Sequence, residues 1–360
     1  MKKHNFSAGP AILPAEVMAE AARAVVDFNG SSLSILEISH RSAAFMSVMD
    51  ETSTLIKELM GLSDDFEVLF LSGGASSQFY MVPANFLDAH ETAGYSNTGT
   101  WSDKAIKEAK LYGNVNVLAS SKDSNFNFIP TGYDIPKELK YFHFTSNNTI
   151  FGTEYHWTPD AHGVPLVCDM SSDFLSRPVE HIDRYGLIYA GAQKNLGPAG
   201  VTVVIVRKDF LATGKAKRVL PLMQNYETHL KEGSMFNTPP VFPIYVSMLT
   251  LRWLKNLGGL AAIQQHNQEK AELLYREIDR NSLFEGTTAA ADRSLMNVCF
   301  VLKNAERDAA FLDACKAAGC IELKGHRSVG GFRASIYNAM PTESVETLVA
   351  IMQDFEQKMG

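Results

Sequence analysis

Short apolar runs alternate with longer segments of mixed polarity over the first two thirds of the chain. Several runs are apolar at consecutive positions, as in strands that helices cover on both faces of a mostly parallel sheet. The segments between them have helical periodicity and the length of right-handed crossovers. The pattern predicts a large, doubly wound α/β domain. Its predicted strands are EVLFL (67–71), NVNVLA (114–119), YFHFT (141–145), VPLVC (164–168), GLIYA (186–190) and VTVVIV (201–206).

The pattern becomes helical from about Pro243, and Gly258-Gly259 marks a junction. A long polar helix over about 261–280 follows, and a final helix begins after Pro341. We predict a large domain over residues 16–257, and a smaller α+β domain formed by 258–360 together with 1–15. The final helix has apolar residues at helical spacing, at Val345, Leu348, Val349, Met352 and Phe355.

Composition narrows the class of protein. The 360 residues exceed what one core usually holds, and the 46% hydrophobic and 20% charged contents are typical of a soluble globular protein. No apolar run approaches the roughly 20 residues of a membrane span, and Gly9, Pro10 and Pro14 interrupt the N-terminus, so we expect a cytoplasmic location. The net charge of −7 argues against a broad nucleic-acid surface. Four cysteines without a CxxC pair predict neither disulfides nor a metal site.

Ligands of open α/β sheets bind beyond the carboxyl ends of the strands, so we expect the residues of a ligand site in the loops after the apolar runs. In the first of these loops, Gly73-Gly74-Ala75-Ser76 joins a strand to a helix. Small residues allow backbone N–H groups to approach an anion, and the helix dipole favours negative charge. The loop matches neither the Walker A pattern nor GxGxxG, so a simple packing turn stays open as the alternative to a phosphate site.

Two further loops carry an aromatic ring and a carboxylate. Trp101 follows YSNTGT at the start of a helix, where it could stack on a planar ring or simply pack. Asp169 directly follows the buried run VPLVC. It either caps the serine-rich turn after it or, if buried, needs a cationic partner such as a protonated ring nitrogen.

The fourth loop, YAGAQKNLGP, carries Lys194. A solvated lysine has a pKa of about 10.4 and is a poor nucleophile at pH 7, so a reactive lysine here needs its charge disfavoured. The separation of Asp169 and Lys194 fits one strand–helix–strand step, which places both at neighbouring strand ends. A phosphate cradle, a stacking ring, a carboxylate and an amine are the groups that pyridoxal 5′-phosphate requires. We therefore predict this cofactor.

The same motifs resemble a known family over nearly the whole chain. The matching stretches are FSAGPAILP, EISHRS, GGASSQF, TGTWS, SNNTIFGTE, CDMSSDFLSRP, YAGAQKNLGPAG, NTPP and GGFRASIYNAMP. The chain resembles the phosphoserine aminotransferases, which belong to class V of the fold-type-I pyridoxal-phosphate enzymes. The pairing of AGAQKNLGPAG with GFRASIYNAMP is far more specific than a generic aminotransferase lysine.

The resemblance implies a role for each cofactor residue. Lys194 is expected to condense with the cofactor aldehyde, Asp169 to pair with the ring nitrogen, and both are the expected catalytic residues. Trp101 is expected to stack on the ring and Thr149 to reach its phenolic oxygen. The phosphate is expected to be held by Ala75, Ser76 and Gln193, and by Asn237 and Thr238 of a neighbouring subunit. The resemblance thus implies a homodimer with shared active sites.

The resemblance also implies the substrate contacts. Arg333 is expected to clamp the α-carboxylate, because a guanidinium offers two parallel hydrogen bonds. A distal cluster is expected to hold either the phosphate of 3-phosphohydroxypyruvate or the side-chain carboxylate of glutamate. One departure matters, since some family members carry an arginine in the Gly-rich loop where this chain reads Gly-Ala-Ser. The expected distal residues are His40, Arg41, His326 and Arg327.

The implied reaction is the reversible transfer of the amino group of L-glutamate to 3-phosphohydroxypyruvate, in L-serine biosynthesis. It gives O-phospho-L-serine and 2-oxoglutarate, and the 4-phosphohydroxy-L-threonine step of pyridoxine biosynthesis stays open as a second use. Three alternatives remain. An aminotransferase acting on alanine, serine or glyoxylate needs no distal cluster. A cysteine desulfurase needs a cysteine in a catalytic loop, which is not evident. A non-catalytic phosphate-binding protein does not need Lys194.

Overall fold

A computed structural model describes residues 2–359 of the chain. The strands are β1 (His4–Asn5), β2 (Phe66–Leu71), β3 (Thr92–Asn97), β4 (Asn114–Ser120), β5 (Phe142–Thr145), β6 (Asn147–Asn148), β7 (Thr153–Glu154), β8 (Leu166–Asp169), β9 (Tyr185–Gly191), β10 (Thr202–Arg207), β11 (Phe284–Gly286), β12 (Asn297–Leu302), β13 (Cys320–Ile321) and β14 (Phe332–Ser335). The helices are α1 (Ala15–Val26), α2 (Ala43–Met60), α3 (Gly74–Phe86), α4 (Thr100–Ala109), α5 (Lys208–Thr213), α6 (Tyr226–Lys231), α7 (Val241–Asn256), α8 (Gly259–Arg280), α9 (Asp308–Ala317) and α10 (Thr342–Met359).

A seven-stranded sheet forms the centre of the larger part of the molecule. Its strand order is β2-β10-β9-β8-β5-β3-β4, and β10 runs antiparallel to both of its neighbours while the other pairings are parallel. This confirms the predicted mostly parallel sheet and all six predicted strands. The sequence reading missed β3, whose residues TAGYSN carry little apolar signal. Gly94 is needed there because a Cβ atom would lie 2.7 Å from Leu139 Cδ1.

The consecutive apolar positions of the strands face two separate cores. In β10, Val203 and Ile205 pack in the core that includes α1, α2 and α7, whereas Val204 and Val206 pack in the core that includes α3 and α4. Each strand therefore needs apolar side chains on both faces, which is why the runs do not alternate in polarity.

The C-terminal part of the chain has its own core. The antiparallel sheet β11-β12-β14 packs with α8, α9 and α10, and β1 pairs with β13. The five apolar positions predicted for the final helix are buried in this core. The pairing of β1 and the burial of Phe6 support our proposal that residues 1–15 belong with 258–360. Leu260 and Ile263 of α8 pack in the core of the larger part, so this helix contacts both.

The sheet brings its loops to one edge. Strands β2, β3, β5, β8 and β9 all run in the same direction, so their carboxyl ends lie along the same side of the sheet.

The four cysteines are buried and free. Across residues 2–359, no helix combines the length and apolar character that a bilayer crossing demands.

Candidate active site

A cavity of about 380 Å³ opens at the carboxyl edge of the large sheet. Its volume lies in the range typical of small-molecule sites. Nine of the fourteen predicted site residues line it, and we call them the lining set. They are Ala75, Ser76, Trp101, Thr149, Asp169, Gln193, Lys194, His326 and Arg333.

Lys194 follows the end of β9 and is buried, in contrast to an ordinary surface lysine. Its Nζ donates a hydrogen bond to Thr149 Oγ1 at 2.9 Å. Burial lowers the pKa of Lys194 to about 8; the charge of Asp169 opposes this shift, and the charge of Arg333 adds to it. About one tenth of the amine is therefore neutral and nucleophilic at pH 7, far more than for a solvated lysine.

Asp169 is the last residue of β8, and only 3% of it is exposed. Its Oδ1 accepts a hydrogen bond from the backbone N–H of Ser171 at 2.9 Å, so it caps the following turn and is buried at the same time. Burial raises the pKa of the carboxyl, while the Ser171 hydrogen bond and the Lys194 charge act in the opposite direction. Within the described chain, its second oxygen accepts no hydrogen bond and is available to a cationic partner.

The Gly-rich loop forms the N-terminus of α3. Gly73 has φ of 102°, and a Cβ atom there would lie 1.7 Å from Ser77 Oγ, so no other residue fits. Gly74 begins the helix, and no side chain caps its first turn. The first N–H groups of the helix, around Ala75 and Ser76, can therefore bind an anion.

Two polar atoms of the cavity wall lack partners. Trp101 Nε1 and Thr145 Oγ1 are buried without a hydrogen-bond partner among residues 2–359, and both side chains line the cavity. Trp101 is the second residue of α4, and Thr145 is the last residue of β5. Buried polar groups are rarely left unpaired in native proteins, so these two atoms mark the wall of a site that receives a polar ligand.

These groups fit pyridoxal 5′-phosphate. The neutral fraction of Lys194 suits its aldehyde, the free oxygen of Asp169 suits its ring nitrogen, and the uncapped start of α3 suits its phosphate. The indole of Trp101 provides an aromatic wall. The donor set thus matches the chemistry of this cofactor group by group.

Two cationic residues complete the lining set. Arg333 of β14 donates from Nη1 to the carbonyl oxygen of Thr149 at 3.2 Å, so Thr149 binds Lys194 through its hydroxyl and Arg333 through its backbone. His326 lies in the loop between β13 and β14, with Nδ1 2.7 Å from Ser328 Oγ. Burial and the charges of Arg333, Arg327 and Lys104 lower the pKa of His326.

The other five predicted residues do not line the cavity, and we call them the outer set. All are exposed except His40, which is half-buried. They lie in three separate places: just before α2, just before α7 and beside His326. Their predicted roles stay predictions. The outer set consists of His40, Arg41, Asn237, Thr238 and Arg327.

Sequence reasoning missed several lining residues. Thr145 ends the predicted strand YFHFT, and a polar residue at the carboxyl end of a buried run was a usable signal. Gly9 lies in the N-terminal motif, and a Cβ there would lie 3.6 Å from Lys194 Cγ. The partners of Asn147, which also lines the cavity, are distant in the chain: it donates to Ser172 Oγ and to Asn297 Oδ1, both at 2.8 Å. No local pattern in the sequence reveals those contacts.

Comparison with known proteins agrees with this geometry. A family model described as aminotransferase class-V matches residues 3–348. The chain is 56% identical to a phosphoserine aminotransferase of Flavobacterium psychrophilum, with all of both chains covered. It superposes with a TM-score of 0.96 on a phosphoserine aminotransferase structure from Bacillus circulans subsp. alkalophilus, at 46% identity over 100% of this chain and 99% of that one. A phosphoserine aminotransferase structure from Trichomonas vaginalis with bound pyridoxal phosphate matches at TM-score 0.93 and 39% identity, over 98% of this chain and 100% of that one.

Proposed function

Because this chain belongs to the phosphoserine aminotransferase family of class-V aminotransferases, we propose that it transfers the amino group of L-glutamate reversibly to 3-phosphohydroxypyruvate. The products are O-phospho-L-serine and 2-oxoglutarate, and the reaction serves L-serine biosynthesis. The observation that carries the proposal is the buried amine of Lys194, which donates a hydrogen bond to Thr149. The same cavity is lined by Asp169, by the uncapped start of α3 and by Arg333.

The residues of the chain divide the work of the reaction. Bound pyridoxal phosphate supplies an aldehyde that carries the amino group and a ring that accepts electrons from the α-carbon. Lys194 would remove the proton from the α-carbon of the amino-acid substrate and, when the keto acid is converted, would donate a proton to the α-carbon of the amino acid that forms. Asp169 stays ionised opposite the ring nitrogen and keeps that nitrogen protonated. The start of α3, at Ala75 and Ser76, and the amide of Gln193 hold the phosphate.

Arg333 binds the α-carboxylate of the substrate in this proposal. It lines the cavity, and its hydrogen bond to Thr149 fixes it beside Lys194. His326 reaches the same cavity and begins the distal cluster. We propose that Arg327, His40 and Arg41 join His326 there and hold the second anionic group of either substrate.

The remaining parts of the proposal concern assembly and location. We propose a homodimer in which Asn237 and Thr238 complete the phosphate site of the partner subunit. Their exposure supports this, since both precede α7 away from the cavity of their own chain. A cytoplasmic location and activity on 4-phosphohydroxy-L-threonine for pyridoxine biosynthesis also belong to the proposal.

One assay tests the reaction. Purified protein is given glutamate with 3-phosphohydroxypyruvate or, separately, with pyruvate or glyoxylate. We expect kcat/KM for the phosphorylated acid to exceed that for the other two by about a hundredfold or more. Its phosphate pairs with the distal cations, whereas pyruvate and glyoxylate leave these cations unpaired. Borohydride should fix the cofactor to Lys194, which peptide mapping detects, and Lys194→Ala should abolish both labelling and turnover.

The matched control is Lys137→Ala, which removes an exposed lysine of the same domain and should change neither readout. Equal turnover of glyoxylate and the phosphorylated acid would contradict the proposed substrate. A protein that takes up no pyridoxal phosphate would contradict the proposed reaction altogether.

A further inference from the structure

The Gly-rich loop of this chain supplies no side-chain cation. It reads Gly73-Gly74-Ala75-Ser76, and the backbone N–H groups at the start of α3 are its means of binding an anion. A doubly charged substrate phosphate at the distal cluster therefore needs positive charge from elsewhere in the fold. One exposed lysine near the cavity has no place in the site described so far.

That lysine is Lys104, one turn beyond Trp101 on α4. Residues three apart in a helix share one face, and the Lys104 Nζ lies 4.6 Å from the centre of the Trp101 ring. Trp101 lines the cavity while Lys104 does not, so the ammonium lies at the border of the site. The flexible stem of a lysine can move its ammonium group from the border into the site.

The charge of Lys104 acts on one residue of the distal cluster, His326. The positive charges of Arg333, Arg327 and Lys104 all help to lower the pKa of His326, so cations from β14, from the loop before it and from α4 act on one imidazole. Their mutual repulsion favours any anion that settles among them. Of these cations, Arg327 was expected at the distal anion site and Arg333 at the α-carboxylate of the substrate, and the third comes from α4.

Lys104 is also free to act on a ligand. The neighbouring carboxylate, Asp103, pairs with Lys107 at 2.6 Å and lies 3.9 Å from Lys122 Nζ. Within residues 2–359, Lys104 itself makes no ion pair. A charged side chain without a carboxylate partner, held over an aromatic ring at the edge of a cavity, keeps its charge for an incoming anion.

We propose that Lys104 binds the phosphate of the substrate and supplies the positive charge that the Gly-rich loop lacks. This inference rests on the proposed function, because it assigns a residue to the phosphate of that substrate. Lys104 acts as a mobile point charge beside His326, Arg327 and Arg333. It makes the site favour a dianionic phosphate over the single negative charge of a carboxylate.

The test compares Lys104→Met with Lys107→Met in the cofactor-loaded enzyme. Both variants remove one exposed lysine from α4 and change the net charge equally, while only Lys107→Met also removes an ion pair, that with Asp103. Absorbance titration gives the dissociation constants of O-phosphoserine and of glutamate, and fluorescence gives that of pyridoxal phosphate. We expect Lys104→Met to weaken O-phosphoserine about tenfold and glutamate about threefold or less, with unchanged cofactor affinity. Lys107→Met should leave all three constants within about twofold of the native values.

Two results would overturn the assignment. The first is a Lys104→Met enzyme that binds O-phosphoserine as tightly as the Lys107→Met control. The second is a loss of cofactor affinity with equal weakening of both ligands, which would mean that Lys104 only supports the Trp101 ring. Lys104→Arg, which keeps the charge, should restore O-phosphoserine binding to within about threefold. Failure of the native enzyme to bind O-phosphoserine would instead contradict the proposed function, so the two failures are distinguishable.

Discussion

The lining set and the outer set differ in how the fold positions them. Asp169 ends a buried strand, Gln193 and Lys194 follow one, Ala75 and Ser76 start a helix that follows one, and Arg333 lies within a strand. The outer residues lie in loops and are exposed, apart from the half-buried His40. A parallel sheet gathers the ends of its strands whatever the loops do, so most residues of the predicted cofactor site meet within one chain. The five outer residues, in contrast, are not brought together in this cavity.

The electrostatics follow the same division. Burial lowers the pKa of Lys194 and raises the pKa of Asp169, so it favours the neutral form of both side chains. The charge of each side chain partly opposes the pKa shift of the other. Exposed loop residues are solvated and gain such coupling only when a ligand or another chain covers them. The lining set is therefore preorganised, whereas we propose that the outer set is organised only when a ligand or a partner subunit covers it.

The largest effect should come from the charge of Asp169. Asp169→Asn keeps an oxygen that can accept the hydrogen bond from Ser171, so the turn is preserved while the negative charge is lost. We expect kcat/KM to fall about a hundredfold or more, with cofactor affinity reduced far less. Steady-state kinetics and a cofactor titration measure both quantities. Asp134→Asn, at an exposed surface position, is the control. Activity retained within about threefold would limit Asp169 to capping the turn.

A second experiment tests whether Asn237 and Thr238 of the outer set act in the active site of the partner subunit. Asn237→Ala with Thr238→Ala should weaken cofactor binding about tenfold, since two hydrogen-bonding groups to the phosphate are lost. Differently tagged chains allow purification of a heterodimer of this double variant with Lys194→Ala. If sites are shared, one of its two sites is intact, and we expect about half the native activity per dimer.

The control is the heterodimer of Lys194→Ala with the native chain, in which one active site also keeps both elements. A double-variant heterodimer with no more activity than the double variant alone would place Asn237 and Thr238 outside the partner's site.

The smallest effect concerns the ionisation of Lys194. Its neutral form is the nucleophile, and that fraction grows as pH rises through the lowered pKa of about 8. The rate at which apoprotein takes up pyridoxal phosphate should therefore increase about fivefold from pH 7 to 8 and level off above that. Stopped-flow absorbance measures the rate, with a model amine as the reference. Arg333→Met removes a charge that lowers this pKa, so its midpoint should move to higher pH. A native midpoint near 10 would contradict the buried, partly neutral amine.

Local patterns were sufficient for six of the seven strands of the large sheet and for four parts of the cavity, namely the Gly-rich loop, Trp101, Asp169 and Lys194. The six apolar runs became strands because burial on both faces demands apolar residues at consecutive positions. Asp169 and Lys194 could be predicted as neighbours because consecutive parallel strands end at the same edge, and β8 does pair with β9. Strand β3 was not predicted because its residues TAGYSN do not form an apolar run. It is buried because it lies between β5 and β4 in the sheet.

The sequence by itself determined the doubly wound sheet, the strand-end loops and the chemical groups that suit pyridoxal phosphate. Only the tertiary structure decided that Thr149 joins Lys194 to Arg333, that Thr145 and Trp101 present unpaired polar atoms, and that Lys104 lies over the Trp101 ring. The reason is physical. A periodic pattern reports the burial of neighbouring residues, whereas contacts between residues far apart in the chain depend on how whole elements pack against each other.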